Sequence, residues 1–430
     1  MPIEPMGQPQ SSLSAWLTHL EQLHPKTIEL GLDRLNWVKS RLQLKLPFPI
    51  ITVGGTNGKG STCAMLEAVL SAAGYKTGLY TSPHLLRYNE RVRIAMQEAS
   101  DQALCDAFAA VEAARGEVSL SYFEFGTLAA IWLFQQQQVE VAILEVGLGG
   151  RLDAVNAFDA DCAVVTSVDL DHMDYLGDDR ESIGWEKAGI FRAGTPAVCA
   201  DASPPRRLLD HAARIGAQLK LIGKDFVAHA EPTQWQFTSN TGWRLNLPFP
   251  ALRGAYQLDN ACACLAALET LRERLPVTPD NIRRGLLEVT VPGRFQVLAG
   301  RPLVILDVAH NPHAARALAA NLQQMACRGK TFAVFAMLAD KDIAGVIAAM
   351  RDEIDLWLVA GIDHARGASA PELQAHLMNA GISAILTFVD TAAAYHHACQ
   401  IAGEDDRIAA FGSFHTVAEL MQVVLNRKPD

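Results

Sequence analysis

The sequence predicts an α/β protein built from two domains. The first is a P-loop-type domain with a mostly parallel sheet and helices on both faces, and the second is a smaller, Rossmann-like α/β domain. Three observations predict this: 430 residues exceed one ordinary core, half of the residues are hydrophobic, and strand-like runs alternate with helix-like segments twice along the chain. The segment Pro292-Gly293-Arg294 marks the boundary and gives domains 1–296 and 297–430.

The first alternation predicts a sheet whose strands are joined by helices. Buried apolar runs place its strands at 49–53, 139–146, 161–168, 197–200 and 219–222. Helices are expected as a pair within 13–46 and at 61–73, 101–114, 123–136, 180–190, 204–215 and 256–289. Residues 235–247 are expected to form an antiparallel hairpin attached to this domain.

The second alternation predicts the smaller domain. Its strands are expected at 303–308, 331–337, 356–360, 384–389 and 408–411, with helices between them. This domain lacks the glycine fingerprint of dinucleotide-binding sites, so we do not expect it to bind NAD.

Composition excludes several classes of function. A net charge of -10 argues against nucleic acid as a partner, because a phosphate backbone needs a basic face. The eight cysteines include no Cys-x-x-Cys pair, which is typical of reduced thiols in the cytoplasm. The first twelve residues contain no Lys, Arg or apolar core, so we expect no signal peptide, and no apolar run is long enough to span a membrane. We therefore expect a cytoplasmic protein.

A glycine-rich loop with one lysine follows the first expected strand. Such a loop turns backbone N–H groups inward at a helix N-terminus, where they bind phosphate. The strict P-loop pattern does not fit, since Val53 stands where a glycine is required and Gly60 follows the lysine. A variant phosphate loop is favoured over the alternative, a tight turn with a surface lysine. The expected ATP-binding residues of the loop are Gly55, Thr56, Asn57, Gly58, Lys59, Gly60 and Ser61.

Carboxylates and a histidine cluster at the expected carboxyl ends of neighbouring strands, where open α/β sheets bind ligands. Glu145 ends an otherwise apolar strand, and Asp169, Asp171, His172 and Asp174 follow the next strand. A buried carboxylate is costly unless it is paired or binds a cation, so a structural salt bridge stays the alternative for Glu145, and the crowded carboxylates repel one another unless a cation lies among them. Magnesium is the natural cation beside ATP, and its preference for oxygen ligands favours Asp171 over His172.

The loop at 55–62 resembles the ATP loop of the folate branch of the Mur ligase superfamily, whose members use ATP to join a carboxylate to an amino acid. The resemblance implies that Ser82, Glu145 and His172 bind Mg²⁺, which reverses the preference for Asp171. It covers nearly the whole chain through further motifs, which are Ser82-Pro83-His84, Glu145-Val146-Gly147, Gly254-x-x-Gln257-x-x-Asn260 and the segment 307–312.

The resemblance also concerns Lys187, which follows Trp185-Glu186. A lysine beside a metal ion would be repelled by it. The resemblance implies that Lys187 is carbamylated, which turns it into an anion that binds a second Mg²⁺. Relatives often have arginine where this chain has Trp185, so the outer support of the site differs from theirs.

The remaining site residues are also implied by the resemblance. An aromatic pair beside a carboxylate suits a flat pterin, which can stack on the rings and hydrogen-bond through its edge. Further ATP contacts would come from Asn260, Arg294 and Asp307, and the catalytic residues would be Lys59, Lys187 and His310. A pterin would be bound by Thr27, Ile28, Glu29, Ser121, Tyr122, Phe123, Glu124, Leu152, Asp153 and Ala154.

The activity implied by this resemblance is ATP-dependent ligation of L-glutamate to dihydropteroate, and of further glutamates to tetrahydrofolate, through an acyl phosphate. The partners would be these substrates and ATP, with no nucleic acid and no membrane, and the protein would be a monomer. Two alternatives stay open: a Mur-type ligase that acts on a cell-wall peptide, and a nucleotide-binding module without ligase activity.

Overall fold

The computed structural model describes residues 12–26 and 29–425, which divide into two compact units. Unit 1 contains the chain up to Phe249 together with Asp259–Val289, and unit 2 contains Pro250–Leu258 and the chain from Thr290 onward.

The units divide the chain at different residues from the expected domains. Residues 290–296, placed in the first domain from the sequence, belong with unit 2, because the strand that starts at Gln296 pairs within the sheet of that unit. The short segment Pro250–Leu258 also belongs with unit 2.

The main sheet of unit 1 has the strand order β4-β3-β2-β5-β1-β6-β7-β8. Its strands are β1 Ile50–Gly54, β2 Thr77–Tyr80, β3 Val92–Ile94, β4 Gln97–Glu98, β5 Val141–Glu145, β6 Cys162–Val165, β7 Pro196–Cys199 and β8 Gln218–Leu221. From β2 to β8 the neighbouring strands are parallel, whereas β3 and β4 add an antiparallel edge. The α/β class and the mostly parallel sheet are therefore confirmed, although β2, β3 and β4 were not among the expected strands.

Helices precede, connect and follow these strands. They are α1 Leu13–Leu23, α2 Asp33–Arg41, α3 Lys59–Ala72, α4 Asp101–Arg115, α5 Tyr122–Gln136, α6 Met173–Leu176, α7 Arg180–Ala188, α8 Arg206–Ile215, α9 Ala255–Thr270 and α10 Pro279–Glu288. The short helix α6 was not expected. The expected helical stretch 256–289 is two helices, since Pro279 starts a new one behind the capping residue Thr278.

A small antiparallel sheet is attached to unit 1. Its strands are β9 Phe226–Ala230, β10 Trp235–Ser239 and β11 Arg244–Leu247, with β10 in the centre. The expected hairpin corresponds to β10 and β11. The sequence did not predict β9, which packs the ring of Phe226 against Phe237 of the central strand.

The sheet of unit 2 has the order β12-β13-β17-β14-β15-β16. Strand β12 is antiparallel to β13, and the other neighbours are parallel. The strands are β12 Gln296–Leu298, β13 Leu303–Leu306, β14 Thr331–Phe335, β15 Leu356–Ala360, β16 Ile385–Phe388 and β17 Arg407–Phe411.

Helices also alternate with the strands of unit 2. They are α11 Pro312–Gln324, α12 Ile343–Met350, α13 Ala370–Asn379, α14 Thr391–Ile401 and α15 Phe414–Leu425. Within the part of the chain that the structure describes, no helix of either unit combines the length and the apolar character needed to cross a bilayer.

Candidate active site

The glycine-rich loop connects β1 to α3, and close contacts require its glycines. Gly55 and Gly58 have φ angles of +144° and +86°, which other residues rarely adopt. A Cβ atom on Gly55 would lie 1.9 Å from Thr166 Oγ1, and one on Gly58 would lie 2.3 Å from Asn260 Oδ1. The loop therefore packs directly against the end of β6 and against α9, with the Asn260 amide beside Gly58.

Residues that follow β6 hold this loop in place. The backbone N–H of Thr56 donates to the Ser167 carbonyl at 2.8 Å. The Thr56 hydroxyl exchanges two hydrogen bonds with the backbone of Asp169, each of 3.0 Å. The Lys59 ammonium donates to the carbonyls of Gly55 and Thr56 at 3.0 and 3.2 Å. The lysine thus lies against its own loop, where it can serve a bound phosphate.

Glu145 and Ser82 meet beside this loop. The Glu145 side chain is buried at the end of β5, and its Oε2 accepts the Ser82 backbone N–H at 3.2 Å. A Cβ on Gly60 would lie 3.7 Å from both carboxylate oxygens of Glu145, so the carboxylate faces the first turn of α3. Two of the expected metal ligands are therefore adjacent to each other and to the glycine-rich loop.

Lys187 lies in the last turn of α7 and is only 4% exposed. Burial, reinforced by the positive charge of Lys59, lowers the pKa of Lys187 to about 7, while the carboxylates of Asp171 and Asp153 act in the opposite direction. Lys59, Asp171 and Asp153 are therefore all close enough to Lys187 to influence its charge. The neutral amine of Lys187 is therefore well populated near pH 7.

His172 belongs to the segment that Thr56 anchors through Asp169. Its backbone is left-handed, with φ 50°, and its N–H donates to Asp171 Oδ1 at 2.9 Å. Across the described residues, no group of three or more His, Cys, Asp and Glu side chains is arranged to hold a metal ion. A cation beside the loop would therefore need oxygen donors of other kinds as well, such as the hydroxyl of Ser82, whose backbone N–H donates to Glu145.

Cation–π contacts support α7 from outside. The guanidinium groups of Arg151 and Arg207 lie over the Trp185 ring, at 4.6 and 5.5 Å from its centre. Arg151 also pairs with Glu186, with 2.9 Å between Nη2 and Oε1. The Trp185 ring thus contacts two arginines, two residues before Lys187 in the chain.

Tyr122 and Phe123, the aromatic residues expected to bind a pterin, are the first two residues of α5. The Phe123 ring lies 5.7 Å from the Tyr80 ring, and a Cβ on Gly147 would come within 2.7 Å of the Phe123 ring. Tyr122 makes an edge contact with Tyr88 at 5.8 Å between ring centres. The glycine-rich segment after β5 therefore passes directly along Phe123.

Asp153 lies further along this segment and caps a short 3-10 turn, Ala154–Ala157. Its two carboxylate oxygens accept the N–H groups of Leu148 and Val155 at 2.8 and 3.1 Å. Burial raises the pKa of Asp153 to about 7 in spite of these bonds. The expected pterin contacts at 152–154 thus lie on a loop that Asp153 closes.

Glu124 is buried, and its carboxylate is bound by the protein itself. It forms a capping box with Ser121, whose N–H donates to Glu124 Oε2 at 2.8 Å. Arg34 Nε donates to both Glu124 oxygens, at 2.9 and 2.8 Å, and the same guanidinium reaches the Glu29 carboxylate at 2.8 Å. Sequence reasoning missed Arg34, because its partners lie 5 and 90 residues away and no local motif connects them.

Two expected pterin contacts, Thr27 and Ile28, lie outside the described residues. Glu29, which follows them, accepts hydrogen bonds from His24 at 2.7 Å and from Lys26 at 3.3 Å. The hydrogen bond from Lys26 has the largest effect on the Glu29 carboxyl and lowers its pKa, and the bond from His24 lowers this pKa further. Glu29 is therefore anionic at neutral pH.

In unit 2, Asp307 follows β13 and organises the residues around it. Its carboxylate accepts the N–H groups of Phe295 and Ala309, both at 2.8 Å. Burial raises the pKa of Asp307, and the nearby Arg294 guanidinium partly opposes this shift.

Arg294 and His310 share a neighbour in the same unit. The Arg294 guanidinium lies 5.3 Å from the centre of the Phe414 ring, and the centre of the His310 ring lies 6.0 Å from it. His310 Nδ1 donates to the Val308 carbonyl at 2.8 Å, which orients the imidazole ring. The sequence did not single out Phe414 as the residue that both side chains contact.

Comparison with known proteins identifies the family. Residues 53–268 match the Mur ligase middle domain, and residues 293–414 match the Mur ligase, glutamate ligase domain. This chain belongs to the Mur ligase family. The predicted family is thus confirmed, and the two matched regions contain most of the two large sheets.

Individual relatives place the chain in the folate branch of the Mur ligases. It is 47% identical over 429 residues to the dihydrofolate synthase/folylpolyglutamate synthase of Escherichia coli, a match that covers 100% of this chain and 99% of the relative. It also resembles the structure of E. coli FolC in complex with DHPP and ADP, with TM-score 0.93, 47% identity and coverage of 98% of this chain and 100% of the other.

Another Mur ligase relative was solved with several ligands. This bifunctional folylpolyglutamate synthase/dihydrofolate synthase has Mn, AMPPNP and L-glutamate bound. It is 48% identical, with TM-score 0.90 and coverage of 98% of this chain and 100% of the other.

Proposed function

We infer that this chain is an ATP-dependent ligase that joins L-glutamate to dihydropteroate and adds further glutamates to tetrahydrofolate. The observation that carries this inference is the meeting of Lys59, Glu145 and Ser82 at one edge of a parallel sheet, in a chain that matches a dihydrofolate synthase/folylpolyglutamate synthase over its full length. None of these contacts favours a cell-wall substrate or a nucleotide-binding module without ligase activity.

We assign the nucleotide phosphates to the loop at 55–61. Backbone N–H groups at the start of α3 and the helix dipole favour an anion there, and Lys59 adds a full charge. Asn260 contacts the nucleotide from α9, since its amide lies against the same loop. For unit 2, the resemblance predicts that Arg294 and Asp307 bind ATP, and this stays a prediction.

The residues beside the loop suit a divalent cation of the hard, oxygen-binding type, and we propose Mg²⁺. Glu145 contributes a buried carboxylate and Ser82 a hydroxyl, with His172 as the third protein ligand. A cation bound there supplies positive charge that screens the phosphates and polarises the one that is transferred.

We assign a second cation to Lys187. Its neutral amine is populated because burial beside Lys59 lowers its pKa to about 7, and this form reacts with carbon dioxide to give a carbamate and a proton. The carbamate is an anion, so a cation bound there would offset its repulsion from the nearby Asp171 carboxylate. The contact of Trp185 with Arg151 supports the helix that carries it.

The reaction proceeds in two displacements. The acceptor carboxylate attacks the γ-phosphorus, ADP leaves, and an acyl phosphate forms; the glutamate amine then attacks the acyl carbon, loses a proton and displaces phosphate. Lys59 neutralises charge on the transferring phosphoryl group. We propose His310 of unit 2 as a further catalytic residue. Its ring is oriented by the hydrogen bond to the Val308 carbonyl. Phe123 and Tyr122 hold the flat pterin ring, so that the acceptor carboxylate is presented to the nucleotide.

The test is a phosphate-release assay with the full chain. Phosphate should appear only when ATP, dihydropteroate and L-glutamate are all present, and mass spectrometry should detect dihydrofolate. Tetrahydrofolate should replace dihydropteroate as acceptor and gain glutamates. Rapid ATP hydrolysis without an acceptor acid, or turnover with a cell-wall peptide in place of a folate, would refute the proposed function.

We also propose that the protein is a monomer and that it is located in the cytoplasm.

A further inference from the structure

Arg34 connects two parts of unit 1 that are far apart in sequence. It lies on α2, and all of its side-chain nitrogens are used in contacts with two glutamates. Nε donates to both oxygens of Glu124, Nη1 lies 2.8 Å from Glu29 Oε2, and Nη2 donates to the Glu29 backbone carbonyl at 2.8 Å. The guanidinium group thus forms a rigid, planar bridge between the segment before α2 and the start of α5.

Each end of this bridge carries residues assigned to the acceptor acid. Glu124 follows Tyr122 and Phe123 at the start of α5, and its carboxylate also closes the capping box with Ser121. The guanidinium therefore sets where the helix that presents the two rings begins, relative to Glu29. A lysine could not replace it, because an ammonium group is a point charge without a planar fork.

The other contacts of the two glutamates strengthen this interpretation. Glu124 is 3% exposed, and a carboxylate buried to this extent needs a fixed, charged partner, which is Arg34. On the other side, Glu29 also pairs with His24, whose second ring nitrogen bonds the Ser119 hydroxyl at 2.7 Å. Side chains alone therefore form a continuous series of bonds from the Ser119 hydroxyl to the Glu124 carboxylate.

We propose that Arg34 is a positioning residue for the acceptor acid, which acts by holding Glu29 and the start of α5 in register. This proposal rests on the proposed function, because it assumes that Tyr122 and Phe123 receive the pterin ring. The contacts of Arg34 are with Glu29 and Glu124, and not with the glycine-rich loop. Loss of the Arg34 side chain should therefore raise the KM for dihydropteroate and leave the KM for ATP nearly unchanged.

The test compares kinetic constants of three variants of the full chain. Arg34→Lys retains the charge, Arg34→Ala removes it, and Glu124→Gln retains the size of the partner. We expect kcat/KM for dihydropteroate to fall roughly 10- to 100-fold in all three, with a raised KM, since misplacement of a bound group by about 1 Å costs up to about 100-fold in rate. The KM for ATP should change less than about twofold, a split that a general loss of stability does not produce.

A matched control comes from Arg274, which pairs with Asp161. Asp161 also accepts the N–H of Ile50 at the start of β1, so this ion pair lies at the end of the sheet opposite to the glycine-rich loop. Arg274→Lys should leave both KM values unchanged. If it raises the KM for dihydropteroate as much as Arg34→Lys does, the proposal is wrong.

Chemical rescue separates positioning from folding. Added guanidinium at millimolar concentration should lower the KM for dihydropteroate of Arg34→Ala, because the small cation can occupy the space between Glu29 and Glu124. An unchanged KM for dihydropteroate in Arg34→Lys and Glu124→Gln, or an equal rise in both KM values, would overturn the role of Arg34. If the unmodified chain itself does not ligate glutamate to dihydropteroate, it is the proposed function that fails.

Discussion

Helices α3 and α11 each follow a buried parallel strand, one in each unit, yet they begin in opposite ways. Helix α3 starts behind Gly58, a left-handed residue without a side chain, and its first residue is Lys59. Helix α11 starts behind Asn311, whose side chain accepts the N–H of Ala314 at 2.9 Å, and has Pro312 at its first position. A helix start is therefore open to an anion only where the chain leaves its N–H groups without a cap of their own.

Helices α3 and α11 also differ in how much of their surface is buried. Every residue of α3 from Ser61 to Leu70 is buried, including the carboxylate of Glu67. An amphipathic helix at the surface can adjust, but a helix enclosed on all sides holds its first turn in a fixed position. The glycine-rich loop is thus attached to a helix that the surrounding core keeps in place. Helix α11 instead buries a single stripe, which consists of Ala315, Leu318, Ala319 and Leu322.

The strongest loss of activity should follow a change at the first residue of α3. Lys59→Ala should lower kcat/KM for the ligation by roughly 100- to 1,000-fold, because a preorganised donor to the transferring phosphoryl group is lost. Steady-state phosphate release measures this. Lys45→Ala, at an exposed lysine ahead of β1, is the control and should retain full activity. A Lys59→Ala enzyme with a near-normal rate would show that the loop is not the phosphate site.

A smaller effect concerns the buried carboxylate of α3. Glu67 is 0% exposed and pairs with Arg93 at 2.8 Å, yet burial raises the pKa of Glu67 from 4.5 to about 7. The folded protein therefore binds the proton more tightly than the unfolded chain, and stability is lost as pH rises from about 4.5 to about 7. The loss should amount to at most about 3 kcal/mol in the free energy of unfolding.

Glu67→Gln should remove this pH dependence, because the amide does not titrate. Denaturant unfolding at about pH 5 and about pH 8, on either side of the shifted pKa, should show the unmodified protein losing stability relative to Glu67→Gln at the higher pH. Glu117→Gln, at an exposed position, should follow the unmodified protein at both pH values. Parallel pH profiles for the unmodified protein and Glu67→Gln would contradict the prediction.

Gly58 offers a test of the uncapped helix start. Gly58→Ala places a methyl group 2.3 Å from the Asn260 amide at a positive φ, and should weaken ADP binding by roughly 10- to 100-fold, or about 1–3 kcal/mol. Gly74, after the end of α3, also has a positive φ, but a Cβ there meets no atom within 4 Å. Gly74→Ala therefore carries the backbone strain alone, and calorimetric titration should find its ADP affinity unchanged. Equal weakening in both variants would assign the effect to strain and not to the loop contact.

The mildest effect should come from the cap of α11. Asn311→Ala removes the side-chain acceptor of Ala314 and should cost about 1 kcal/mol of unfolding free energy. Asn311→Asp retains an acceptor and should cost less, as thermal unfolding would report. If both substitutions lower the free energy of unfolding by the same amount, the Asn311 side chain does not act as a helix cap. The starts of α3 and α11 would then differ less than their geometry indicates.

Most of the fold follows from local signals in the chain. The long apolar runs became the parallel strands, because strands buried on both faces need continuous hydrophobic residues. Strands β3, β4 and β12 were missed because they contain only two or three residues, and β2 was missed because Thr77 and Gly78 leave it only two apolar residues in a row. Part of the candidate site was equally local, since the loop at 55–61 combines glycines, a lysine and a following helix in one stretch of sequence.

The α/β class, the alternation of the longer strands and helices, and the position of the glycine-rich loop could be read from the chain, because each depends on residues that are neighbours in sequence. Folding in three dimensions set which distant side chains meet. It placed Glu145 beside the first turn of α3 and brought Arg34 to Glu124. It also buried Lys187 near Lys59, which lowers the Lys187 pKa to about 7. Desolvation and charge interactions depend on distances in space, and the spacing of residues along a chain does not specify those distances.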